Sequence, residues 1–129
     1  DRHRDVMSDK LKEVVAAGRS VTEDEYAAAL ANREPLYRSL APIFNTYDAI
    51  LTPASQGIAP PGLAATGSPM FNFIWTYLGV AAISIPLLTV DGVPLGVQLV
   101  APRDSGPRLL TIADAALSEL KRPSVGRPA

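Results

Sequence analysis

Nine serines are the residues here from which nucleophilic chemistry could come: Ser8, Ser20, Ser39, Ser55, Ser68, Ser84, Ser105, Ser118 and Ser124. A serine attacks a carbonyl only with a base beside it and donors aimed at the developing oxyanion. None of the nine lies in Gly-x-Ser-x-Gly, and no Gly-Ser-Ser run occurs. The single histidine, His3, reads as an exposed residue at the start of the chain, and one histidine cannot build a multi-histidine metal site. Cysteine is absent, which removes disulfides, zinc–thiolate sites and a cysteine nucleophile. Lys10, Lys12 and Lys121 have charged neighbours on helical segments and read as solvated. There is no phosphate loop and no dinucleotide fingerprint. The residues therefore predict no catalytic set, no metal site and no cofactor site.

The elements that would position any chemistry follow from spacing. Met7, Leu11, Val14 and Val15 form one stripe of an amphipathic helix that reads as already running when the chain starts, with Gly18 as its expected stop. A second helix begins near Ser20, capped by Thr22 with Glu25 or by Ser20 with Glu23. Its apolar spacing continues through Tyr26, Leu30, Tyr37, Leu40 and Phe44, and Pro35 predicts a kink or break, with Pro42 as a second weak point. Tyr47 to Thr52 reads as a buried strand. Gln56 to Gly67, with Pro60-Pro61-Gly62 at its centre, reads as a long loop, and long loops in compact domains are often functional. Phe71 to Leu78 follows as a helix rich in aromatic residues.

Strands over 82–90 and 93–101 flank Asp91-Gly92, a pair suited to a type I′ hairpin. Leu95, Val97, Leu99 and Ala101 alternate with Gly96, Gln98 and Val100, so both faces of the second strand are expected to be covered. A last helix opens at Asp104-Ser105-Gly106-Pro107, with Leu109, Leu110, Ala113, Ala116, Leu117 and Leu120 as its apolar side, and 123–129 reads as a tail. Twelve Lys and Arg against thirteen Asp and Glu give no excess charge for nucleic acid or an anionic membrane. The apolar run Leu78 to Val90 is too short and too interrupted to span a bilayer. Apolar residues make up 47% of the chain, enough for a core and enough to leave surface seeking a partner.

Several segments then occur in a specific order. These are Tyr47-Asp48-Ala49-Ile50-Leu51-Thr52-Pro53, Ala59-Pro60-Pro61-Gly62, Ala65-Thr66-Gly67, Gly79, Ile83-Ser84-Ile85-Pro86 and Gly92-Val93-Pro94-Leu95-Gly96-Val97-Gln98-Leu99-Val100. The set resembles the C-terminal region of amidase-signature enzymes, from about Val6 to Leu120. Single pieces are weak, but the ordered set is specific. Ala81 departs from it, standing where the family often has proline.

The resemblance implies an α/β fold, the C-terminal part of a mixed β-sheet covered by helices on both faces. It implies hydrolysis of a carboxamide through an acyl-enzyme on a Ser-Ser-Lys set, whose parts all lie upstream of the matched region. Thr66, Pro69 and Phe73, with Phe71 and Trp75 as looser positions, match those that line the substrate pocket. Where the related glutamyl-tRNA amidotransferase subunit has an acidic residue for the ammonium of glutamine, this chain has Pro69. That favours a general amidase acting on apolar or aromatic amides. Gln98 matches a buried glutamine and is expected to tie segments together.

The expectation is one incomplete amidase domain over 1–122 with a tail over 123–129, cytoplasmic, without cofactor, nucleic acid or membrane. Its partners would be a small amide substrate and either the missing N-terminal amidase region or a second copy. The alternatives are a fragment of that amidotransferase subunit, or a non-catalytic, self-associating remnant.

Overall fold

A computed structural model describes residues 3–121; the expected tail at 123–129, residue 122 and the side chain of Lys121 lie outside the described residues. One compact unit runs up to Leu36 and a second from Tyr37 onward.

The first unit is helical. After a 3-10 turn at Arg4–Val6, helix α1 spans Asp9–Ser20. It is not a helix already running at the start: Ser8 is its N-cap, and its hydroxyl accepts the Leu11 N–H at 3.3 Å. Gly18 is not the stop either. It lies inside α1 without a positive φ, and the end comes at Ser20, whose hydroxyl turns back to the Ala17 carbonyl. A helix tolerates glycine at modest cost, so glycine alone does not end one. Lys12 with Asp9 (2.9 Å) and Lys10 with Glu13 (3.1 Å) pair along α1, consistent with solvated lysines.

Helix α2 spans Glu23–Ser39. Of the two capping boxes open to the sequence, the structure has Thr22–Glu25: the Glu25 N–H donates to the Thr22 hydroxyl at 3.2 Å and the Thr22 N–H to the Glu25 carboxylate at 2.8 Å. The Thr22 backbone bond, then the bond from its hydroxyl, holds the Glu25 carboxyl below its ordinary range. A lowered folded pKa stabilises above the unfolded pKa, and that contribution disappears as pH falls through the folded value. The helicity lost in Glu25→Gln should therefore be visible at about pH 6 and largely gone at about pH 2. An equal deficit at both would contradict the capping box.

Of the kink or break expected at Pro35, the break does not occur, since α2 is continuous through it. The helix closes at Leu40, where the Leu40 N–H reaches the Tyr37 carbonyl at 3.0 Å, and α3 follows at Ala41–Thr46 with Pro42 in its first turn. Proline is tolerated in a first turn because that N–H has no intrahelical partner to lose.

The second unit is α/β. Its elements after α3 are β1 (Ile50–Pro53), α4 (Met70–Leu78), β2 (Ala81–Val90), β3 (Val93–Ala101) and α5 (Gly106–Lys121). The three strands form one antiparallel sheet in the order β1-β3-β2. Asp91 (φ 50°) and Gly92 (φ 77°) both take the positive φ that a type I′ turn requires. The ladder shifts register between Ile85 and Leu88, at Pro86, a residue with no N–H to give it.

Helix α5 packs on one face of the sheet. Ile85, Leu99, Ala101, Leu109 and Ala113 form the buried cluster, with Ala81, Ile83, Leu87, Ile112 and Leu117 against it. Leu110 and Leu120, expected on that apolar side, are instead exposed. Gln98 and Val100 alternate with Leu99 and are buried on the opposite face. Two-sided burial therefore holds for the last four residues of β3. Towards its first half the α5-side face is open, and Leu51, Leu88, Leu95 and Val97 line an apolar depression there.

Candidate functional site

Between β1 and α4 the chain runs as an irregular loop, with Gly62 (φ 80°) and Gly67 (φ 84°) taking left-handed conformations. Ser55 closes its first bend by donating to the Gly57 carbonyl at 2.6 Å. The loop curls around an open groove of about 500 Å³, lined by Ser55, Ile58, Pro60, Thr66, Ser68 and Pro94 among others. Thr66 is thus a groove residue, and it is exposed.

Pro69 is the N-cap of α4 and has no side-chain donor or acceptor for capping. Ser68 supplies the cap, its hydroxyl accepting the Met70 N–H at 3.3 Å, while the Pro69 carbonyl accepts the N–H groups of Asn72 (2.8 Å) and Phe73 (3.2 Å). Gly79 (φ 67°) ends the helix, its N–H and that of Val80 returning to the Trp75 carbonyl. The amphipathic sense of α4 follows its burial. Phe71, Asn72 and Trp75 are half-buried and Leu78 is buried, whereas Phe73 is 67% exposed and Met70 58%. Thr66, Pro69 and Phe73 are all exposed, but of the three Thr66 alone lines the groove, while Phe71 and Trp75 share the packed side of α4.

What fixes α4 is a chain of side-chain amides. The Thr52 hydroxyl donates to Gln98 Oε1 (3.3 Å), Gln98 Nε2 donates to Asn72 Oδ1 (2.9 Å), and Asn72 Nδ2 donates to the Ala54 carbonyl (3.3 Å). Gln98 is 6% exposed, so it joins β1, β3 and α4 from a buried position. Beside it the backbones close in. The Ala54 N–H donates to the Gly96 carbonyl at 3.1 Å, and a Cβ at Gly96 would lie 2.4 Å from Ser84 Oγ and 3.1 Å from Ala54 Cβ. Asn72 is absent from the sequence-based candidates. Its one signal is being an amide in the apolar helix Met70-Phe71-Asn72-Phe73-Ile74-Trp75.

The chain around the groove carries no charge. No Asp, Glu, Lys or Arg occurs between Asp48 and Asp91, a stretch that holds the loop, α4 and β2. Several serine hydroxyls are committed to local structure: Ser8 and Ser68 accept backbone N–H groups, and Ser20, Ser55 and Ser105 donate to backbone carbonyls. One Ser-x-x-Lys spacing, Ser118 to Lys121, occurs in the sequence; Ser118 is exposed on α5, and no α5 residue lines the groove. Among the described residues no three His, Cys, Asp or Glu gather as metal ligands, and no helix is long and apolar enough to cross a membrane.

The comparisons with known proteins agree with this architecture. The family described as Amidase matches residues 2–110. A glutamyl-tRNA(Gln) amidotransferase subunit from Salinispora tropica is 30% identical over 105 residues, 76% of this chain and 21% of that protein. Its counterpart in Salinispora arenicola is 29% identical over 97 residues, 70% of this chain and 20% of that protein. The chain thus spans about a fifth of the length of the curated relatives it matches. A solved amidase superposes with a TM-score of 0.81 at 26% identity, covering 92% of this chain and 30% of its own. A bacterial aryl acylamidase of the amidase-signature family shares the fold, with a TM-score of 0.62 at 22% identity over 98% of this chain and 30% of its own.

Proposed function

The chain belongs to the amidase family, and from that premise we propose that it forms the substrate-binding wall of an amidase whose Ser-Ser-Lys set lies in another segment. The reaction served is hydrolysis of a carboxamide C–N bond through an acyl-enzyme. The observation that carries this reading is the composition of the wall. Thr66, Pro69 and Phe73 are exposed, and no charged residue stands between Asp48 and Asp91. Such a surface suits an uncharged, apolar or aromatic amide, since an ammonium placed against it would lose hydration with no ion pair in return.

The reading as part of an amidotransferase has the two Salinispora relatives in its favour. Pro69 and the neutral stretch around it weigh against it, because neither supplies a counter-ion for an α-ammonium. The apolar depression at Leu51, Leu88, Leu95 and Val97 would be covered by the catalytic segment or, in the self-associating alternative, by a second copy.

Pro69 tests the choice. In the active enzyme, Pro69→Glu should lower kcat/KM for an aryl amide about tenfold, roughly one mispaired wall contact, and leave the acyl-enzyme chemistry intact. Unchanged relative kcat/KM across neutral and ammonium-bearing amides would refute the pocket assignment.

A further inference from the structure

We propose that Asn72 is a positioning residue for substrate selection, holding α4 in the one orientation that presents Phe73 to the ligand. The inference rests on the wall proposed above and adds a residue which the resemblance does not assign. The amide chain has a fixed direction. Gln98 Oε1 is taken by the Thr52 hydroxyl, so its NH2 group faces Asn72, whose Oδ1 accepts at 2.9 Å; Asn72 is then left with its own NH2 for the Ala54 carbonyl at 3.3 Å. Each amide has one donor end and one acceptor end, so neither can turn over without placing like groups against each other.

The anchor end is rigid. Gln98 is buried within β3, and Ala54 is tied to Gly96 through its own N–H. Asn72 lies in the first turn of α4, one position after Phe71 and one before Phe73, so its two bonds fix the rotation of the helix at the end where the loop enters. About 100° separates successive residues on a helix, so pinning Asn72 inward leaves Phe73 on the flank and Met70 and Ile74 on the far side. Burial agrees with that rotation: Asn72 is half-buried, while Ile74, Met70 and Phe73 are all exposed. Asn72 itself reaches no ligand; it acts through Phe73.

The test is steady-state kinetics of the active amidase containing this segment, with one aryl amide and one short aliphatic amide. Asn72→Ala should raise KM for the aryl amide about tenfold with kcat held within about twofold, and leave the aliphatic amide nearly unchanged. Asn72→Asp keeps the acceptor towards Gln98 and loses the donation to Ala54, so it should show a smaller rise of about threefold, and it carries the test if Asn72→Ala does not fold. Phe73→Ala is the reference for the wall. If Phe73→Ala alters the aryl-to-aliphatic ratio and the Asn72 variants do not, the positioning role is overturned and the wall stands. A ratio unmoved by Phe73→Ala would remove the wall and this inference with it. Equal losses of kcat on both amides in the Asn72 variants would overturn positioning in favour of general loosening.

Discussion

Truncating Leu78 to alanine is expected to destabilise the second unit by about 2–5 kcal/mol, read as a lowered midpoint in urea unfolding. Leu78 is 1% exposed and, with Val100, one of the two largest fully buried side chains. It ends α4, and its carbonyl accepts from Arg103 Nε at 2.8 Å. The Arg103 guanidinium also lies 3.8 Å over the Tyr37 ring, and its backbone N–H reaches the Tyr37 hydroxyl at 3.3 Å. Leu78 thus stands where α4 meets Tyr37 and the turn before α5, and neighbours tied by these bonds cannot collapse into a cavity. The loss is large beside a typical domain stability of about 5–15 kcal/mol. Leu63→Ala is the contrast. That side chain is fully exposed in the loop, and its removal should change stability by less than about 0.5 kcal/mol. Similar midpoints for the two variants would contradict the burial at the end of α4.

Parts of the structure were legible where a single local rule decides. Asp91-Gly92 specifies its hairpin because both residues accept positive φ, and Thr22 with Glu25 specifies a helix start because each satisfies the other's backbone donor. Local rules failed where a residue is merely tolerated. Gly18 and Pro35 both weaken a helix, yet the surrounding turns carry it through them.

The order β1-β3-β2 was beyond periodicity altogether, since the hairpin could have met β1 through either of its strands. Burial showed the same limit. The alternation of β3 gives two apolar faces, but only the placement of α5 decides that Leu99 and Ala101 are covered while Leu95 and Val97 meet an open depression.

The candidate wall divides in the same way. Thr66, Pro69 and Phe73 came from the resemblance, and the structure places them on exposed surface. The half-burial of Phe71 and Trp75 puts them on the packed side of α4, which no motif could have foretold. Gln98 was expected to join segments and does so. Its partner Asn72 stayed hidden because the rest of α4 and most of the hairpin separate the two in sequence, and only the folded sheet brings them to 2.9 Å.

The largest effect expected of this protein is an absence of catalysis. Acyl transfer needs an activated nucleophile, and the serines whose bonds are described serve caps and turns, while His3 is exposed at the edge of a 3-10 turn. Even hydrolases stripped of a catalytic residue keep roughly 10³–10⁴-fold over water through their oxyanion hole and binding site. A binding wall alone has only the last of these. The direct measurement is hydrolysis of an aryl amide by the 129-residue chain alone, with and without a serine-directed phosphonate. The expected rate equals that of buffer in both cases, while turnover that the phosphonate abolishes would show a nucleophilic serine within this chain and contradict a wall that serves catalysis performed elsewhere.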